Sequence, residues 1–324
     1  MLSRVADTLW WMSRFVERAE GVTRIVQVHR DSDLETEFSQ GAAEYWNSAL
    51  IALYAQNEFE VGKFKDPGSF IIFSPQWIGS VINCVNAARE NARMVRDQLS
   101  EEIWVELNNL YHFLNSEGAH SNFATEESKF YARIIRFSLI FQGLSDATIH
   151  QDEGWRFMTL GKYLERADLT SRVLDTLTLL GSEPTRLDLI RALRSCSAFS
   201  AFKKKYRGAL TLSNVADLLL FSEDFPRSLR FSLRCIDSQL HEISAVPSGS
   251  FTNEAERLSG RALAHMNFSD INSMISQGLH ESIDEIQKLL IAVGQSIFET
   301  YVLLPSEINS TTPLQKLQSQ MQQQ

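Results

Sequence analysis

Helical periodicity runs through almost the whole chain and is interrupted at few points. Apolar residues return every three or four positions over residues 2–30, 44–57 and 125–180, the spacing that gives a helix a continuous buried face. Residues that would break such a pattern are scarce: 15 glycines and 7 prolines in 324 positions, about half their usual combined share. The chain is expected to be all-α, a helical bundle of roughly eight to twelve helices. Residues 1–305 read as one helical domain, and 306–324, with "LQKLQSQMQQQ", as a Gln-rich flexible tail.

Local signals place the breaks. "KFKDPGSF" ends the second helical stretch, and "GSFIIFSP" reads as a short extended piece. Ser74 before Pro75 is a helix start, because Ser caps free amides and Pro tolerates the first turn. Ser100 followed by Glu101 and Glu102 opens a helix that "SEGAHSN" closes, and Thr125 opens the next. From there to residue 180 the pattern reads as two helices, with Gly143 and Gly154 as kink points. Residues 188–206, 213–221, 226–243 and 268–301 complete the expected set.

The formal charge of -9 repels a phosphate backbone, so nucleic acid is excluded as an expected partner. Cys84, Cys196 and Cys235 are odd in number and widely spaced, as in a cytosolic protein with reduced thiols, and the two mid-helix ones, Cys84 and Cys235, read as small buried residues. No run approaches the roughly 20 apolar residues of a membrane span, and Arg4 and Asp7 sit where a signal-peptide core would be. A cytoplasmic location, with no membrane partner, is expected.

A charged decapeptide occurs twice. "FVERAEGVTR" at 15–24 and "YLERADLTSR" at 163–172 align at an offset of 148, so Glu17, Arg18, Ala19, Glu20 and Arg24 match Glu165, Arg166, Ala167, Asp168 and Arg172. Ten positions do not establish a duplication, though they admit an internal pseudo-repeat. On a helical wheel Glu17, Glu20 and Arg24 share one side, opposite Trp11, Phe15, Val22 and Val26. The plain structural reading is a solvated strip stitched by Glu20–Arg24 and Asp168–Arg172 pairs, each worth roughly 0.2–0.5 kcal/mol. Against it, Trp10, Gly21, Met158 and Leu169 flank the strip, which favours partial burial.

Arg89, Arg93 and Arg96 fall on one face of "ARENARMVRDQL", where like charges repel unless an anion lies opposite. The counter-charge is either the Glu17, Glu20, Glu165 and Asp168 carboxylates across the bundle or a ligand carboxylate or phosphate. Buried Arg–carboxylate networks add little net stability, so repeated use of them points to specificity or a binding site. Arg14 adds a further guanidinium to the first copy. Asp152, Glu153 and Arg156 precede the second, with Glu153 and Arg156 spaced to pair locally. In "FSEDFPRSLRFSL", Pro226 reads as a helix start, with Arg227 and Arg230 beside its amides as an anion site or, plainly, an ordinary capped helix.

Other chemistry is disfavoured. The Glu-x-x-Glu and Glu-x-x-Asp pairs lack the Glu-x-x-His partners of dimetal bundles and carry Arg beside them, so no metal is expected. Ser195, Cys196 and Ser197 lack spaced His and Asp partners for a nucleophile, and Lys203, Lys204, Lys205 and Arg207 read as a basic helix end. No glycine-rich phosphate loop or dinucleotide fingerprint occurs, and no cofactor is expected.

Five ordered stretches, "MLSRVADTLWWMSRFVERAE", "ARENARMVRDQLSEEIWVELN", "DEGWRFMTLGKYLERADLTSRVLD", "LRSCSAFSAFKKKYRG" and "VADLLLFSEDFPRSLRFSL", together resemble the alpha-E family of helical domains, named for its Glu-Arg motif. Lys162 stands where that family more often has Arg. The resemblance implies association with a circularly permuted ATP-grasp-type ligase and a transglutaminase-like protein, hence peptide or amide ligation. In that setting the chain is expected to be an accessory or substrate-handling partner whose Arg–carboxylate cluster binds an anionic ligand or the ligase. Two alternatives stand: an enzyme of amide or acyl-phosphate chemistry using clustered Glu and Asp as general acid and base, and a purely structural helical scaffold.

Overall fold

A computed structural model describes residues 1–35, 42–62, 64 and 66–303. Among these the chain is entirely helical: α1 Ser3–Glu35, α2 Ala42–Ala52, α3 Gln56–Val61, α4 Pro67–Phe73, α5 Val81–Met94, α6 Glu101–Leu114, α7 Ala119–Thr125, α8 Glu127–Thr148, α9 Glu153–Asp175, α10 Arg186–Ser195, α11 Phe199–Tyr206, α12 Leu212–Phe221, α13 Leu229–Ser244, α14 Glu254–Asn267, α15 Ile271–Gln277 and α16 Leu279–Phe298. The all-α class holds, with more helices than the eight to twelve expected. The Gln-rich tail lies outside the described residues.

The extra helices come from breaks that periodicity alone does not reveal. Tyr54 and Ser197 take left-handed backbone (φ 50° and 52°) and split residues 44–57 and 188–206 into α2–α3 and α10–α11. Gly278 (φ 102°) separates α15 from α16 within 268–301. "GSFIIFSP" is helix α4 rather than an extended piece, capped by Asp66, whose side chain accepts from the Ser69 amide. Ser74 does not start a helix; its hydroxyl accepts from the Trp77 amide in a turn, and Ser80 caps α5. Helix α14, which the sequence reading passed over, is capped by Asn253. Ser100 caps α6 as expected.

The order α1–α8 is repeated as α9–α16. In the first half α1, α5, α6 and α8 close a four-helix ring; in the second, α9, α13, α14 and α16 do the same. The two longest central helices, α1 and α9, lie side by side between the rings. They run parallel, since Arg14 meets Glu165, Glu17 meets Arg166 and Gly21 meets Leu169 at rising positions on both. Cross-contacts are reciprocal, with α10 packed on α1 and α2 on α9, which makes the relation a pseudo-two-fold axis between the central helices. Two glycines permit the approach: a Cβ at Gly161 would collide with the Trp10 carbonyl, and one at Gly21 would lie 2.5 Å from the Leu169 side chain.

Apolar burial is continuous from Ala6 on α1 to Ile297 on α16, the dominant favourable contribution to such a fold. The wheel had separated a charged from an apolar side of α1. Instead α1 is covered by α5, α8, α9 and α10, and Glu17 and Glu20 are among its most buried residues.

Candidate functional site

Parallel helices offset by 148 residues bring the two Glu-Arg dipeptides to one level. Glu17 receives Nε and Nη2 of Arg166 at 2.7 and 3.0 Å; Glu165 receives Nε and Nη2 of Arg18 at 2.5 and 2.9 Å. Each pair is a two-pronged guanidinium–carboxylate contact, the strongest kind of charge-assisted hydrogen bond. Glu17 and Glu165 are 2 % and 1 % exposed. Arg14 adds a third contact to Glu165 at 2.9 Å, and Gln142 donates to Glu17 at 2.9 Å.

One turn on, Glu20 binds Arg24 and also Arg227, whose Nη2 lies 2.9 Å away, while Asp168 binds Arg172 at 2.8 Å. Six guanidinium groups thus meet four carboxylates, a surplus of positive charge. For Glu165, burial would raise the pKa, but Arg18 and Arg14 outweigh it and hold the carboxyl at about 2. At Glu17 burial is likewise overcome by Arg166 and Arg227, and the net direction is down. Asp168 goes the other way: burial raises its pKa and Arg172 only partly opposes that.

Two clefts open onto this network, both lined by Asp168 and Arg172. The first, about 460 Å³, lies among α1, α9 and α16 and includes Trp10, Trp11, Arg14 and Ile291. Arg14 stacks on Trp10 and Trp11 at 4.8 and 4.7 Å, and its one hydrogen bond, through Nε, leaves both terminal nitrogens without an acceptor among the described residues. The second, about 450 Å³, is lined by Arg18, Tyr54, Glu58, Trp77, Gly79 and Glu165. Both volumes fall in the range of small-molecule sites.

This arrangement of duplicated helices joined through Glu-Arg dipeptides coincides with a known grouping. The Alpha-E family, "a predicted alpha-helical domain with a conserved ER motif", matches residues 1–302. The chain belongs to the Alpha-E family. Uncharacterized proteins of Mycobacterium bovis and Mycobacterium tuberculosis are 24% identical over 305 residues, covering 87% of this chain and 33% of their own. The chain therefore spans about a third of the length of these curated relatives. No solved structure matches it.

In this Alpha-E chain the sequence-predicted residues divide into two groups. Arg14, Glu17, Arg18, Glu20, Arg24, Glu165, Arg166, Asp168, Arg172 and Arg227 converge at the central helices. Arg89, Arg93 and Arg96 do not join them. Arg89 and Arg93 pair with Glu90 on their own helix, and Arg89 and Arg96 lie over the Trp104 ring, so a neighbouring acid and an aromatic face supply the relief expected from across the bundle. Asp152 caps α9. Glu153 holds the N-terminal ammonium at 2.6 Å rather than Arg156, which reaches Gln239 and Glu242 on α13. Pro226 is not a helix start: Ser228 caps α13 and accepts from the Phe231 amide, and Arg230 pairs with Glu223.

Cys84 and Cys196 are fully buried and pushed up to about 12 by that burial, which keeps both as inert thiols. Among the described residues no three His, Cys, Asp or Glu side chains gather as metal ligands, and no helix is long and apolar enough to cross a membrane. Sequence reasoning missed the cleft walls Tyr54, Trp77 and Gly79. A signal for the last two was present: "FSPQWIGSV" at 73–81 and "FSEDFPRSL" at 221–229 align at the same offset of 148.

Proposed function

We propose that the protein is a non-catalytic, substrate-handling companion of an ATP-grasp-type peptide or amide ligase, and that it holds the carboxylate or phosphate of its ligand at Arg14. The observation that carries this reading is the state of that guanidinium. It is fixed in place by Glu165 and by two tryptophan faces and lines a cleft, yet its terminal N–H groups have no acceptor among the described residues. Pre-positioned donors of this kind bind an anion without the cost of ordering a free side chain. The surplus of guanidinium over carboxylate in the network supports the same sign of ligand.

Calorimetry of the purified chain with glutamate, ATP and short acidic peptides tests the site. Binding that weakens at least about tenfold in Arg14→Gln supports it; no heat with any of them favours a structural scaffold. Mixing the chain with the ligase and ATP, and each alone, tests the partnership, and turnover by the chain alone overturns it.

A further inference from the structure

The cleft at Arg14 has a counterpart across the pseudo-two-fold axis. At the offset of 148, Trp11, Arg14 and Leu164 correspond to Thr159, Lys162 and Val16; the first three line a cleft closed off by α16, and the second three one closed off by α8. Helices α8 and α16 correspond at an offset of 152, at which buried Tyr131, Ile134, Phe141 and Ser145 fall on buried Ile283, Ile286, Val293 and Ile297. The two clefts differ in size, about 460 Å³ at Arg14 against about 20 Å³ at Lys162.

Their walls differ as well. The closed cleft carries Asp146, which stabilises the charge on Lys162, and Thr159. In the open cleft Phe298 and Trp11 stand at those positions, and no acid of α16 lines it. Ile291 and Phe298, seven residues apart, share one face of α16, with Leu164 packed over Gly294 between them.

We infer that the ligand at Arg14 carries its carboxylate on a bulky apolar residue, whose side chain is seated against Ile291 and Phe298. The carboxylate rests on the function proposed above; the apolar side chain rests on the walls and on the comparison of the two halves. The other polar groups of the cleft are already engaged: Asp168 holds Arg172 through both oxygens, and Gln295 donates to Glu299. What remains beside Arg14 is apolar surface, and Ile291, 64% exposed, gains by being covered. The ligand's carboxylate supplies the counter-charge that Asp146 supplies in the other half, and its apolar side chain keeps water from that ion pair, which strengthens it. The ligand class is therefore an amino acid or peptide C-terminus with a large apolar side chain. A polyphosphate would lay charge along the α16 wall and forfeit its burial.

Three probes separate the two parts in calorimetry: N-acetyl-L-phenylalanine, N-acetylglycine, which keeps the carboxylate and loses the side chain, and N-acetyl-L-phenylalaninamide, which keeps the side chain and loses the carboxylate. The first is expected to bind at least about tenfold more tightly than either of the others. Ile291→Ser, at an exposed position that leaves the fold intact, is expected to weaken N-acetyl-L-phenylalanine at least about threefold and to leave N-acetylglycine unchanged. Equal binding of N-acetyl-L-phenylalanine and N-acetylglycine overturns the inference and leaves the carboxylate reading of Arg14 standing. The amide equal to the acid, with N-acetylglycine weak, supports the apolar seat and overturns the carboxylate reading. No binding by any of the three, ATP binding more tightly than N-acetyl-L-phenylalanine, or Ile291→Ser without effect overturns the inference.

Discussion

Glu17 on α1 and Arg166 on α9 form a two-pronged ion pair, and their repeat counterparts Glu165 and Arg18 form the same pair in the opposite direction. The contact is therefore isologous within one chain, as at the interface of a symmetric dimer. A dipeptide repeated at the right offset satisfies itself across the axis. The pair fixes the register of α1 against α9, and with it the level at which both clefts open.

Removal of one member of a buried pair leaves an uncompensated charge. Glu17→Gln is accordingly expected to lower stability by about 3–5 kcal/mol, read from urea unfolding. Glu17 lies outside both open clefts, so ligand affinity measured well below the midpoint is expected to stay within a factor of about two. A variant as stable as the wild type contradicts the structural role given to this pair.

Acid should unfold the protein through these same carboxylates. Glu165 titrates at about 2 when folded, against an ordinary 4.5. Its contribution is fully present above the unfolded value and is lost as pH falls from there toward 2, roughly 3 kcal/mol in all. Glu17 acts in the same direction. Asp168, raised on folding, acts in the opposite one: its contribution is complete at low pH and fades as pH rises through its folded value. Unfolding midpoints at pH 6, 4 and 3 should fall steeply over the last step; a flat profile contradicts the assignment.

Two helical glycines should respond with opposite sign. Gly161→Ala drives a methyl into the Trp10 carbonyl, with backbone on both sides unable to yield, and is expected to cost about 1–3 kcal/mol. Gly143→Ala, inside α8 with nothing within 4 Å, is expected to stabilise by about 0.5–1 kcal/mol. Melting temperatures of the two single variants settle the contrast.

Equivalent positions of the repeat should not be equivalent in energy. Glu20→Gln strands two guanidinium groups at a fully buried site and is expected to cost at least about 3 kcal/mol. Asp168→Asn, at a side chain 15% exposed with a single arginine partner, should cost less than about 1 kcal/mol. Similar losses at both would contradict the difference in burial and in arginine partners between the two positions.

Arg93 illustrates the surface group. It is 59% exposed and pairs with Glu90 one turn away, so Arg93→Ala is expected to change stability by less than about 0.5 kcal/mol and to leave ligand binding unaltered.

The sequence by itself determined the helical class, the cap at Ser100, and the Glu-Arg repeat at an offset of 148. These are local properties: three-to-four-residue periodicity, an oxygen beside free amides, and identity along the chain. Tertiary structure decided the rest. Whether Arg93 or Arg18 serves the site depends on which partners lie across the helix, and spacing alone treats the two alike. The left-handed turns at Tyr54 and Ser197 are fixed by packing, since neither residue favours that backbone by itself. Gly79 stands where the other half has Arg227, and the Trp77 ring fills the space, 2.5 Å from where a Cβ would stand. Such a difference has meaning only once α1 and α9 stand parallel and their halves can be compared.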